Sequence, residues 1–182
     1  MDQNTRAVYD YLCGQEKSLK EWSMGAQCYK RMVEFVGAKF PGRRDLRILE
    51  IGTCRGLSAL LLSQFGDVYT LDVQTYDGMQ KVLDDCPRIP GSGSIVRLVS
   101  RSQDRARGLV YAIRFDLAFI DGCHVYDHVR RDVSFARSVS STIVFHDYNA
   151  EKFPGCVKAI DECRSGAKFT WKPDCSLAMA EW

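Results

Sequence analysis

Arg47-Ile-Leu-Glu50-Ile-Gly52-Thr-Cys-Arg-Gly56 is an apolar run that closes on an acid and then opens a glycine turn. From Glu50 the pattern is E-x-G-x-x-x-G. A strand that ends this way delivers a ligand to a helix start, where free backbone N–H groups point outward. Gly52 and Gly56 let the backbone turn sharply and approach that ligand closely. Ser58 adds a hydroxyl at the same helix start. A second acid, Asp72, ends the next apolar run 22 residues after Glu50. There it is placed to accept hydrogen bonds from ribose hydroxyls. The spacing departs from the G-x-G-x-x-G of dinucleotide binders, which fits a nucleoside cofactor without a pyrophosphate. It also counts against the main alternative, a nicotinamide-dependent oxidoreductase on a similar sheet.

Outward from this turn, short apolar runs alternate with amphipathic stretches. Strands are expected at 47–52, 68–73, 95–100, 115–120 and 141–146, and helices at 57–65, 75–85, 104–112, 124–139 and 155–165. Two last runs, 168–172 and 176–182, predict a closing hairpin that turns on Pro173-Asp174. Strands alternating with helices imply a Rossmann-like, doubly wound α/β fold. The expected sheet is seven-stranded and mostly parallel, with an antiparallel C-terminal hairpin. Residues 1–40 carry helical periodicity and predict an N-terminal helical cap on a core of 47–182, in a single domain. Ser18-Leu-Lys-Glu21 is a capping box, and Trp22, Tyr29, Met32, Val33, Val36 and Phe40 follow it at helical spacing.

Composition narrows the function classes. A formal charge of +2 gives no electrostatic reason to expect a nucleic-acid partner. The eight cysteines include no C-x-x-C pair, which argues against zinc ribbons and thioredoxin-like chemistry. They are expected to be reduced, semi-buried small hydrophobes, consistent with a cytoplasmic protein. The polar start, Met1-Asp-Gln-Asn-Thr-Arg6, shows no secretory pattern. No apolar run reaches the ~20 residues of a membrane span.

Ligands of open parallel sheets bind beyond the carboxyl ends of the strands. Here those ends carry Glu50 and Gly52, then Asp72, then Ser102-Gln103-Asp104, then Asp121-Gly-Cys-His124, then His146-Asp147-Tyr148. Residues 47–74 resemble the first motif and second strand of class I S-adenosylmethionine-dependent methyltransferases, and G-L-S at 56–58 is similar to the catechol O-methyltransferase type. Ser102-Gln103-Asp104 resembles the S-Q-D that follows the third strand there. The run F-I-D-G-C-H-V-Y from 119 to 126, with H-D-Y at 146–148, resembles a subgroup of small O-methyltransferases related to cephalosporin hydroxylase-like proteins.

The resemblance implies S-adenosyl-L-methionine as cofactor and allows Mg²⁺ as well. Glu50 and Gly52 would line the methionine moiety and Ser58 its carboxylate, with Gly56 also cofactor-binding. Asp72 would hold the ribose, and Ser102 and Gln103 the adenine, with Asp121 beside the cofactor. Asp121 and Asp147 would be the metal-binding acids, with His146 or Asn149 completing the shell. Two departures stand out. Tyr148 follows the second acid where the catechol enzymes have asparagine, and His124 stands where they have lysine.

His124 has two readings. As an imidazole with an ordinary pKa near 6.5, it could take the acceptor's proton at neutral pH. It could instead cap the helix expected at 124–139, whose buried stripe is expected to be Val125, Val129, Val133 and Ala136. His124 and His128 also form an i, i+4 pair able to chelate a transition metal, although His128 is expected farther along an exposed helix face. The expected activity is methyl transfer to an oxygen of a small-molecule acceptor, with Asp121 and His124 catalytic. A non-catalytic cofactor-binding protein of the same fold is the remaining alternative.

Overall fold

The computed structural model describes residues 1–16, 24–85, 91–102, 104 and 112–182. Helices α1 (Gln3–Glu16) and α2 (Ala26–Lys39) precede the first strand. There follow β1 (Leu46–Ile51), α3 (Leu57–Leu62), β2 (Gly66–Asp72), α4 (Met79–Asp85), β3 (Ile95–Val99) and β4 (Leu117–Ile120). The chain continues through α5 (Tyr126–Val139), β5 (Thr142–Phe145), α6 (Pro154–Cys163), β6 (Lys168–Lys172) and β7 (Leu177–Glu181).

The seven strands form one sheet in the order β3-β2-β1-β4-β5-β7-β6. Strands β1 to β5 pair in parallel, while β7 runs antiparallel to both β5 and β6. β1 is an interior strand with five of its six residues buried, as a strand covered on both faces requires. Its side chains alternate. Leu46 and Ile48 join a cluster with Val8, Met32 and Leu60 from α1, α2 and α3. Leu49 and Ile51 join the opposite cluster, with Val129, Val133 and Ile160 from α5 and α6. From β1 the chain steps outward to β2 and β3 on one side, and β4 then returns to the other side of β1. The order therefore reverses between β1 and β4, and that reversal opens a crevice above their carboxyl ends.

Several expectations shift at the edges of these elements. The capping box at 18–21, Trp22 and most of the helix expected at 104–112 lie outside the described residues. α2 begins only at Ala26, after Gly25 at φ +80°. The hairpin loop spans four residues, because Lys172 pairs with Leu177, so Pro173-Asp174 is only its first half. That loop is tied down: Asp174 accepts hydrogen bonds from Arg31 and Gln27, and the Cys28 thiol donates to the Cys175 carbonyl at 2.7 Å. Val125 is 57% exposed and precedes α5, so the buried stripe of that helix begins at Val129. Cys123 is exposed, unlike the semi-buried cysteines expected. No helix among the described residues is long and apolar enough to cross a membrane.

Candidate active site

The crevice at the reversal point is a cavity of about 780 Å³. Gly52, Asp72, Ser102, Asp121, His124 and Asp147 all line it, as does His146. The glycine turn forms its floor. Gly52 has φ +100° and donates its N–H to the Leu71 carbonyl at 2.8 Å. A β-carbon there would lie 2.2 Å from the Asp121 carbonyl oxygen, so only glycine lets the turn after β1 touch the turn after β4. Asp72 braces the same turn. Its Oδ2 accepts the Cys54 N–H at 2.8 Å and its Oδ1 accepts the Val73 N–H at 2.7 Å. A carboxylate has about four acceptor positions, so capacity remains for ligand hydroxyls.

Three expected cofactor contacts sit behind the cavity wall. Glu50, Gly56 and Ser58 do not line it. For Glu50 the cause is the alternation of β1: it shares a face with Ile48, and that face is roofed by α3. Glu50 is fully buried; its Oε2 accepts from the Thr70 hydroxyl, while Oε1 has no partner. Burial pushes this carboxyl up to about 8, against the partial opposing effect of the Ser58 and Thr70 hydroxyls. Gln103 lies outside the described residues.

The raised Glu50 has a consequence for stability. Its folded pKa exceeds the unfolded one, so no penalty exists below the ordinary glutamate range. The penalty then grows as pH rises toward about 8, by roughly 1.4 kcal/mol per unit at most. Glu50→Gln should therefore melt higher than the wild type at pH 8 and match it near pH 4. Equal melting curves at both pH values would remove the assignment of a neutral buried Glu50.

The opposite wall is a chain of alternating acids and imidazoles. His146 Nδ1 lies 3.0 Å from Asp121 Oδ1 and 3.1 Å from Asp147 Oδ2. His124 Nε2 lies 2.7 Å from the same Asp147 Oδ2. Adjacent strand residues normally point to opposite faces, but Asp147 has φ +59°, which breaks that alternation and brings its carboxylate back beside His146. Burial disfavours the Asp147 anion, yet the hydrogen bonds from His124 and His146 outweigh it and hold the carboxyl well below its usual range. The Asp147 hydrogen bond raises His124 above its ordinary value, against some desolvation. Burial works to lower His146, but Asp121 and Asp147 together carry it well above.

His124 lies ahead of α5, and Val125 occupies the N-cap position without a side-chain cap, so His124 is not a capping residue. Its ring packs on Phe153 with centroids 4.5 Å apart. Being off the helix, His124 also cannot form a helical i, i+4 pair with His128, which lines the cavity instead of an exposed face. Tyr148 turns away from the site, donating to Asp161 at 2.7 Å and packing on Phe169 and Trp171. Asn149 is occupied locally, its Oδ1 accepting the N–H groups of Glu151 and Lys152.

Among the described residues, Asp121, His124 and Asp147 bring one potential ligand atom each within 4.8 Å of one another. The expected third ligand, His146, is replaced in this set by His124, since His146 sits between the two acids as a bridge. Two carboxylate oxygens with one imidazole nitrogen suit a divalent cation. The nitrogen fits Mn²⁺ better than Mg²⁺, which prefers an all-oxygen shell. Sequence reasoning missed Asp132, Cys54 and Tyr76, which also line the cavity.

A family model described as a methyltransferase domain matches residues 49–148. A search of curated proteins returns no match. Among solved structures, an O-methyltransferase from Bacillus cereus in complex with SAH superposes with a TM-score of 0.65 and 17% identity, covering 100% of this chain and 92% of its own. Magnesium protoporphyrin IX methyltransferase from Synechocystis, with bound SAH, gives 0.57 and 11% over 98% of both chains. An rRNA methylase from Streptococcus thermophilus gives 0.56 and 12% over 83% of this chain and 93% of its own. At such identities the likeness is one of fold, and it spans several kinds of acceptor.

Proposed function

The chain belongs to the methyltransferase-domain family, whose model covers more than half of it, and on that premise we propose that it moves the methyl group of S-adenosylmethionine onto an oxygen of a small-molecule acceptor. The observation that carries this reading is the 2.7 Å contact between His124 and Asp147 on a cavity whose floor is Gly52 and whose far side is Asp72. The donor's sulfonium already activates the methyl carbon. The protein's work is to align an in-line displacement and to remove the acceptor's proton. Gly52 lets the backbone lie against the methionine moiety, and Asp72 accepts from the ribose hydroxyls. Asp147 holds His124 through Nε2, which leaves Nδ1 as the nitrogen that takes the proton.

A second reading rests on the donor set. A divalent cation would be held by Asp121, Asp147 and His124, and would supply Lewis acidity that lowers the pKa of an acceptor hydroxyl. Chelation separates the two. Transfer that survives EDTA supports the imidazole base, whereas loss restored by Mn²⁺ or Mg²⁺ supports the cation.

The decisive assay follows labelled methyl from S-adenosylmethionine into a panel of hydroxylated small molecules. Without added metal, the rate should climb as pH rises past the ordinary histidine value, because His124 holds its proton more tightly than a free imidazole and acts only after losing it. His124→Gln should lower the rate by roughly 10²–10⁴-fold and flatten that rise, with S-adenosylhomocysteine affinity kept. Turnover equal to wild type would sink the base role.

A further inference from the structure

A second cavity, of about 380 Å³, lies at the end of the sheet away from the crevice. Phe115 leads into β4 and Ser141 into β5, so it sits at the amino ends of strands whose carboxyl ends carry Asp121 and His146. β7 runs antiparallel to β5 and brings Trp182 to the same place, where its backbone N–H donates to the Ser141 carbonyl at 3.0 Å. Two guanidinium groups line this cavity, from Arg114 and Arg137. Both are held by backbone. Arg114 Nη1 donates to the Ser138 carbonyl at 2.6 Å, and Arg137 Nη1 to the Cys163 carbonyl at 3.0 Å. Arg137 also lies over the Trp182 ring, 4.4 Å from its centroid, and the indole N–H is fixed on the Ser165 carbonyl.

These arginines differ from others on the protein. Arg31, Arg43 and Arg164 each reach a carboxylate, whereas among the described residues no acidic side chain pairs with Arg114 or Arg137, and none lines the cavity. The two carbonyls belong to the last turns of α5 and α6, whose negative ends offset part of the charge. Each bond uses one of five N–H donors, so two positive forks remain open toward one cavity. The walls between them are apolar, from Phe115, Val139 and the indole of Trp182. The volume falls within the roughly 300–1,000 Å³ of small-molecule sites. We propose that this cavity is a second ligand site, separate from the crevice, for a small organic anion. Its carboxylate or phosphate group would be gripped by Arg114 and Arg137, with its apolar body against Val139 and Trp182.

Calorimetric titration with phenyl phosphate and benzoate tests this, with benzamide as the uncharged ring and inorganic phosphate as the bare anion. Wild type should bind at least one of the ring-bearing anions roughly tenfold or more tightly than benzamide, and more tightly than inorganic phosphate. The tighter of the two identifies the head group. Arg114→Gln alters an exposed side chain bonded to a single carbonyl, so the fold should be kept while binding weakens by roughly tenfold or more. Arg137→Lys keeps the charge but loses the fork, and should weaken binding as well. Failure of both anions to bind, benzamide or inorganic phosphate binding as tightly as they do, or unchanged anion binding in Arg114→Gln would overturn the proposal. None of these results bears on the crevice and its cofactor.

Discussion

Gly52→Ala should abolish detectable S-adenosylhomocysteine binding and lower stability by about 3 kcal/mol. Two effects add. At φ +100° a β-carbon meets the left-handed penalty, and it would also lie 2.2 Å from the Asp121 carbonyl oxygen and 2.7 Å from the Gly122 nitrogen. Both obstacles are backbone, so relief requires the turn after β1 to separate from the turn after β4. That separation widens the cavity floor and breaks the alignment of Asp72 with Asp121. Gly56→Ala is the contrast. It shares a positive φ of +81°, but its nearest neighbours are side-chain carbons at 3.6 to 3.8 Å. It should cost about 1 kcal/mol and leave binding within a few-fold. Chemical denaturation and ligand titration of both variants read the difference. Equal behaviour of the two would show that contact between the turns is unimportant.

Asp147→Asn should reduce methyl transfer by roughly 10²–10⁴-fold while S-adenosylhomocysteine affinity changes little. Asparagine tolerates the left-handed backbone at this position better than most residues, so the substitution removes charge without remodelling the turn. It also strips His124 and His146 of their shared anion. Stability should fall as well. Asp147 has a depressed folded pKa, so its contribution is present above the ordinary carboxylate range and fades as the medium is acidified below it. The raised histidines contribute below their ordinary value and lose that contribution as pH rises through their folded values. The wild-type advantage over Asp147→Asn should therefore peak between these limits. Undiminished transfer in the variant would detach Asp147 from the chemistry.

The sheet was legible because its signals are local. The 47–52 run is apolar on both faces, and each later strand ends on a polar residue at the crevice. The hairpin was legible as two strands, but its loop length was not, since Ser176 adopts φ +57° and lets the loop run to four residues. The site was only partly legible. Glu50 belongs to the motif, yet the parity of β1 directs it under α3, and parity relative to a roof needs the packing. On paper His124 was a base or a helix cap and His146 a possible metal ligand. The left-handed Asp147 decides which of them joins the donor set and which bridges the acids. Asp132 left no signal at all, because a charged residue within a helix ordinarily marks a solvated face.

The central claim is that this crevice holds an S-adenosyl cofactor, and a crystal structure grown with saturating S-adenosylhomocysteine tests it most directly. The predicted result is a nucleoside in the cavity at the β1–β4 reversal, with ribose hydroxyls on Asp72, the homocysteine against Gly52 and the sulfur facing Asp121 and His124. Ligand density elsewhere on the protein, or a cavity that stays empty at saturation, would contradict it.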